Sequence, residues 1–418
     1  MILILNILLG LSGMAAPALA ETLTRAEVVA AVLESHPEVL AGKQAWRAAR
    51  GRHLQNISPT DPELEFEYEE LPGVFDTGQF GERTIGATQK IPNPVKWVLE
   101  ASASRHETEA IRQSAYIEPQ LVLAHRAKIA FDRVLTDEMM LASAKENQSL
   151  SSALTQRARI RFEAGDIPKL ELLRIEVGEA KAVRVASDAE SRLIVSRLRL
   201  NSLLGRPSDV VLDLDGELEV SSGDFKRDDL RNLVDLRADV QGAEHAVASA
   251  RASRSAAMAG WIPDLNLSIG RQTVVSSVGR ESFWRTAIGL EIPLWAPFRQ
   301  RGQMVEASAN AERAKAEVEA IRRAAALEME EVYQAFQTSS ARVRLSEDRI
   351  VGLAVEAFRV AEESYAQGKA TYLDVLGAQQ ALASSKREHI EALFTHRSAL
   401  ADLERTMGVN MIDTKVVK

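Results

Sequence analysis

The chain has 418 residues, with 51 Lys and Arg against 59 Asp and Glu, and no cysteine. Its net charge of −8 argues against nucleic acid as a partner, because phosphate binding needs clustered cations. The absence of cysteine excludes disulfides, thiol catalysis, cysteine-based metal sites and a lipid-bearing cysteine.

Residues 2–11 form an apolar run broken only by Asn6, and Ala18-Leu19-Ala20 is a small-x-small cleavage signature. Residues 1–20 therefore read as an export signal, with Glu21 opening the mature chain. The signal is atypical, since no Lys or Arg precedes its apolar run. That run is shorter than the roughly 20 residues a spanning helix needs, and no later stretch is long and apolar enough to span as a helix.

The rest is a duplication. His36-Pro37-Glu38-Val39 returns 201 positions later as Arg237-Ala238-Asp239-Val240, and the same offset carries Pro62 to Pro263 and Ile91-Pro92 to Ile292-Pro293. Arg161-Phe162-Glu163-Ala164-Gly165 matches Ser364-Tyr365-Ala366-Gln367-Gly368 at an offset of 203. Constant spacing on this scale marks a repeated structural unit. Residues 21–204 form the first copy, 205–227 a connecting segment and 228–408 the second copy, with 409–418 as a tail.

Within each copy a helix of some thirty residues comes first, about 25–56 and 228–260. Two short strands follow, about 63–71 and 83–92, then 264–275 and 282–294. A very long helix is predicted next, roughly 95–164 and 299–367; at 1.5 Å per residue it extends roughly 100 Å. Pro119 predicts a kink in the first of these. Glycine-bearing tip turns at about 164–168 and 367–371 reverse the chain into return helices, about 169–204 and 371–407. Val332, Ala335, Phe336 and Val343 sketch an apolar stripe that must be buried against neighbouring helices.

The strands alternate. Leu64, Phe66 and Tyr68 oppose four glutamates, and Leu265, Leu267 and Ile269 oppose Asp264, Asn266 and Ser268. Trp284, Ile288, Leu290, Ile292 and Leu294 share a face; Ile85, Ala87 and Ile91 form a weaker one. Such strands fit a sandwich core or a membrane barrel. Trp97, Trp261, Trp284 and Trp295 near strand ends favour the barrel, whose aromatic girdles sit at the lipid boundaries. Four strands cannot close a barrel, and open edges are not tolerated in lipid. A dimer supplies eight strands with a filled interior, a trimer twelve with a lumen.

The Leu23-Thr24-Arg25-Ala26-Glu27 start, Ser35-His36-Pro37-Glu38 and Gln89-Lys90-Ile91-Pro92 resemble the TolC family of outer-membrane efflux proteins. So do the two glycine-turn motifs, Arg161 to Arg174 and Tyr365 to Leu376. The nearest branch is the CzcC-like and CusC-like one that acts with heavy-metal resistance-nodulation-division pumps. The resemblance implies a fold that is mainly α with a small β part. Four strands per chain would complete a 12-stranded transmembrane β-barrel by trimerisation, on a long periplasmic α-helical barrel.

It further implies a passive exit duct in the outer membrane, not an enzyme, fed by a periplasmic adaptor protein and an inner-membrane efflux pump. Ala164, Gly165 and Asp166, with Gln367, Gly368 and Lys369, would be the adaptor-contact turns. Asp374 would line the pore constriction, and Tyr365 and Glu171 would bridge the closed tip. Gly377 stands where TolC has a second pore aspartate, and Ala370 where it has a latch arginine, which leaves the gating network open. A periplasmic coiled-coil scaffold and a type I secretion duct remain alternatives. The exported substrate, metal ion, drug or protein, is not written in the sequence.

No HExxH, GxSxG, Walker loop or GxGxxG occurs, and the seven histidines and nine methionines are scattered. No catalytic residue, cofactor or metal site is predicted.

Overall fold

The computed structural model describes residues 22–208, 210–220 and 225–408. The expected export signal and C-terminal tail lie outside these residues. The chain is mainly α with a small β part.

Each expected thirty-residue helix is broken into two. In the first copy α1 (Arg25–Ser35) stops at His36 and α2 (Pro37–Ile57) begins at the proline. Pro37 lacks an N–H and drives the preceding residue out of the helical region, and His36 sits at φ −67°, ψ 132°. In the second copy α6 (Arg227–Asn232) and a 3₁₀ turn end at Arg237, at φ −64°, ψ 144°, before α7 (Ala238–Ala259). The break recurs at the repeat-equivalent residue without a proline. There the Arg237 guanidinium is clamped by Asp239 and Glu328, at 2.8 and 2.7 Å.

The long helices are α3 (Pro94–Ile111) and α4 (Glu118–Glu163), and α8 (Arg299–Leu345) and α9 (Gly352–Ala366). π-helical segments, Arg112–Ile117 and Ser346–Val351, join each pair. The first lies just before Pro119, whose missing N–H frees the carbonyl of Ala115. Gly42 of α2 seats against that carbonyl: a Cβ there would lie 2.0 Å from the Ala115 oxygen. Gly42→Ala is expected to destabilise the fold by about 1–3 kcal/mol, because backbone must move to admit the methyl. An unchanged denaturation midpoint would show that the seat is not tight.

The return helices are α5 (Lys169–Leu203) and α10 (Tyr372–Thr406). On α8 the apolar stripe runs through Phe336, Ser339 and Val343, with Val332 half-buried; Ala335, expected on it, is exposed. The polar Ser339 takes the buried place because its hydroxyl bonds the Phe336 carbonyl at 2.8 Å, which removes the cost of burying it.

One core joins α1, α4, α5 and the connecting segment; another joins α6, α8 and α10. A strand β1 (Thr22–Thr24) pairs in parallel with β4 (Asp213–Asp215), tying the start of the described chain to the connecting segment.

The remaining strands form one antiparallel sheet in the order β2 (Glu63–Glu69), β3 (Glu82–Ile91), β5 (Asp264–Ser276), β6 (Gly279–Glu291). Directly opposed residues share a face. Leu64–Ala87–Ile269, Leu267–Ile288 and Ile91–Leu265–Leu290 therefore line one side, with Phe66–Ile85 beside Trp284. The other side carries Glu63–Thr88–Ser268–Ala287 and Glu65–Gly86–Gly270–Arg285. Thr88 and Ser268 hydroxyls bond across it at 2.8 Å. Among the described residues no second layer covers the apolar side: Phe66, Trp284, Ile288 and Leu290 are each more than 60 % exposed. Both outer strands are free edges, and every residue of β6 is exposed.

Candidate functional site

The far end of the helices is built from two reversals with the same backbone. Gly165, at φ +83°, gives its N–H to the Phe162 carbonyl, and the next N–H, of Asp166, reaches Arg161. Gly368, at φ +72°, repeats this with Tyr365, and Lys369 with Ser364. Left-handed φ is open to glycine without Cβ strain, which is why both turns carry one. Ala164, Gly165, Asp166, Gln367, Gly368 and Lys369 are all exposed, so six residues present themselves at one end of the molecule.

The restart of each helix differs. Thr371 caps α10: its hydroxyl accepts from the Asp374 N–H at 3.4 Å, while the Asp374 carboxylate takes the Thr371 N–H at 2.8 Å and its hydroxyl at 2.7 Å. This capping box holds the Asp374 carboxyl below its ordinary pKa, chiefly through the Thr371 hydroxyl. Asp374 stays exposed, so its charge still reaches solvent. Pro168 begins α5 with no side-chain cap. The acidic position is thus held by a capping box on the second hairpin, whereas Glu171, its repeat-equivalent on the first, follows an uncapped start. Gly377, one turn on, is open: a Cβ there would meet nothing within 4 Å.

Beneath the turns the hairpins pack through Ala158, Ile167, Leu172, Ile175 and Tyr372, with Phe162, Tyr365 and Leu376 against them. Tyr365 does not meet Glu171. Its ring lies edge-on to Tyr372 at 6.4 Å, with the Arg161 guanidinium over it at 4.8 Å. Glu171 acts on the other tyrosine: burial first, then Tyr365 and Glu171, pushes the Tyr372 hydroxyl up to about 12. Arg161 lies within the first glycine-turn motif, but Tyr365 is 204 residues away, and only packing reveals the pair. Arg157 to Glu362 at 2.8 Å is a further cross-hairpin tie.

Among the described residues no group of three or more His, Asp and Glu is placed to hold a metal, and no helix is long and apolar enough to cross a membrane. The latter says nothing of the sheet.

The family model for "Outer membrane efflux protein" matches residues 230–409, the second copy. The chain is 24% identical over 353 residues to the cobalt-zinc-cadmium resistance protein CzcC of Cupriavidus metallidurans, covering 81% of this chain and 80% of that one. Among solved structures it resembles CusC (16% identity, 92% of each chain, TM-score 0.76). It also resembles the outer membrane protein VceC of Vibrio cholerae (18% identity, 92% of this chain and 96% of that one, TM-score 0.76). The duplicated helix–strand–strand–helix unit, its glycine tips and these matches agree, and it is the second copy, residues 230–409, that matches the outer membrane efflux protein family.

Proposed function

We propose that this protein is the outer-membrane channel of a tripartite efflux system, a passive duct through which an inner-membrane pump and a periplasmic adaptor expel their substrate. The observation that carries the reading is the sheet. One apolar face without cover, one polar face and two free edges describe a segment of a membrane barrel awaiting further copies. Three copies give twelve strands and a lumen, whereas two would fill their own interior. Uncovered apolar residues on the helices support the same assembly, with Leu173 and Val177 exposed on α5 and Leu353 and Val360 on α9. Three chains then place the six turn residues as a ring at the periplasmic end, where the adaptor docks. Similarity to a cobalt-zinc-cadmium resistance protein favours divalent metal ions as the substrate.

In this reading Asp374 forms a ring of three carboxylates at the narrowing of the duct. Like charges in a constriction attract cations and repel anions. Asp374→Asn is expected to lower cation selectivity and block by divalent ions in planar bilayers, while Gly377→Asp, at an open position, raises both. Selectivity unchanged in both variants would remove the tip from the conduction path.

A further inference from the structure

α3 and α7 come from different copies and pack side by side, closely enough that a Cβ on Gly242 of α7 would lie 3.6 Å from the Ala110 carbonyl oxygen of α3 and 3.2 Å from the Cβ of Gln113 just beyond it. One turn further along α7, His245 faces His106 of α3, and both are half-buried. Their Nδ1 atoms are 3.4 Å apart, and the rings are tilted by 30° with centroids 5.7 Å apart.

At that separation one ring can donate a long hydrogen bond to the other when its proton sits on Nδ1. The separation also matches another arrangement. A tetrahedral zinc with Zn–N bonds of about 2.0–2.1 Å holds two ligand nitrogens roughly 3.4 Å from each other. We propose that His106 and His245 form a cross-helix site for a divalent transition-metal cation of the zinc, cobalt or cadmium type, bound through both Nδ1 atoms.

Imidazole nitrogen suits these borderline cations. No third His, Asp or Glu of the described residues completes the set, so water fills the remaining positions. An open coordination sphere of this kind exchanges its ion, unlike a closed four-ligand structural site. The helices need not move to form it, because Gly242, one turn along α7, already seats against the Ala110 carbonyl of α3. In a trimer the site occurs three times.

The test uses the full-length protein purified in detergent. Cobalt(II) is titrated in while visible d–d absorption is followed, and zinc is then added to displace it. The wild type should show tetrahedral-type bands at one cation per chain. His106→Gln and His245→Gln should each abolish them, and His53→Gln should keep them. Equal cobalt binding in wild type and both variants, or none in the wild type, overturns the site. Should a variant fail to assemble, the wild type suffices. Zinc must then slow carbethoxylation of His106 and His245 by diethyl pyrocarbonate but not that of His36, and equal rates with and without zinc overturn the site. A protein that conducts ions yet shows neither effect would sink this site and leave the duct reading standing.

Discussion

Lys128→Met is expected to destabilise the fold by about 3–5 kcal/mol, more than the removal of any surface pair. Lys128 of α4 meets Glu404 of α10 at 2.6 Å, with side chains only 4% and 7% exposed. Removing the lysine leaves a carboxylate buried between the two copies with its counter-ion gone. The double variant Lys128→Met/Glu404→Leu should recover most of the loss, because it removes both desolvation penalties while keeping the volume filled. The pair belongs to a seam that also holds His125 against Asp402 at 2.7 Å, and a fully buried Asp132 against Arg25 at 2.8 Å and Arg397 at 3.4 Å. Chemical denaturation followed through the five tryptophans measures both variants. A single variant within 1 kcal/mol of wild type, or a double variant no better than the single, would show that the pair is more hydrated than its burial indicates.

Ile288→Arg is expected to prevent assembly in the outer membrane. Ile288 stands opposite Leu267 near the middle of the apolar face and is 71% exposed. An arginine on a lipid-facing strand position at mid-depth costs about 2–4 kcal/mol, and it would enter three times per trimer. Ala287→Arg, one residue earlier, turns the same charge to the polar face beside Ser268 and should assemble. The readout is heat-modifiable oligomer in the outer-membrane fraction. Equal loss in both variants would mean that the two faces do not separate lipid from water.

Much of the architecture was written in local pattern. The strict alternation of 63–69 and the repeated glycine turns each express a rule that acts within a few residues. The helix break at His36 has a local signal in Pro37 that a continuous helix over 25–56 passes over, whereas its counterpart at Arg237 has none, because ion pairs with Asp239 and Glu328 hold it there. The π-helical segments left no signature beyond Pro119. The tip was half legible. Its turns followed from Gly165 and Gly368, but the role of Asp374 as a capping carboxylate needed the Thr371 geometry, although Thr-x-x-Asp is itself a capping-box pattern. The resemblance makes Tyr365 and Glu171 bridges of the closed tip, and within one chain packing sets Tyr365 against Arg161 and Tyr372. Lys128 with Glu404 and His106 with His245 are 276 and 139 residues apart, so composition and spacing could not join them.

In the proposed assembly three chains close one barrel through their free edges. Within one chain β2 and β6 are separated by two strands, roughly 14 Å, beyond the reach of a disulfide. The chain has no cysteine of its own, so introduced pairs report cleanly. Barrel shear staggers the rows from one copy to the next. Glu65→Cys is therefore combined in turn with cysteine at 281, 283, 285, 287, 289 and 291, along the polar face of β6. Oxidation in outer membranes should crosslink the chains at one register, giving a ladder that stops at the trimer. A ladder that stops at the dimer, or no crosslink at any register, would contradict the account.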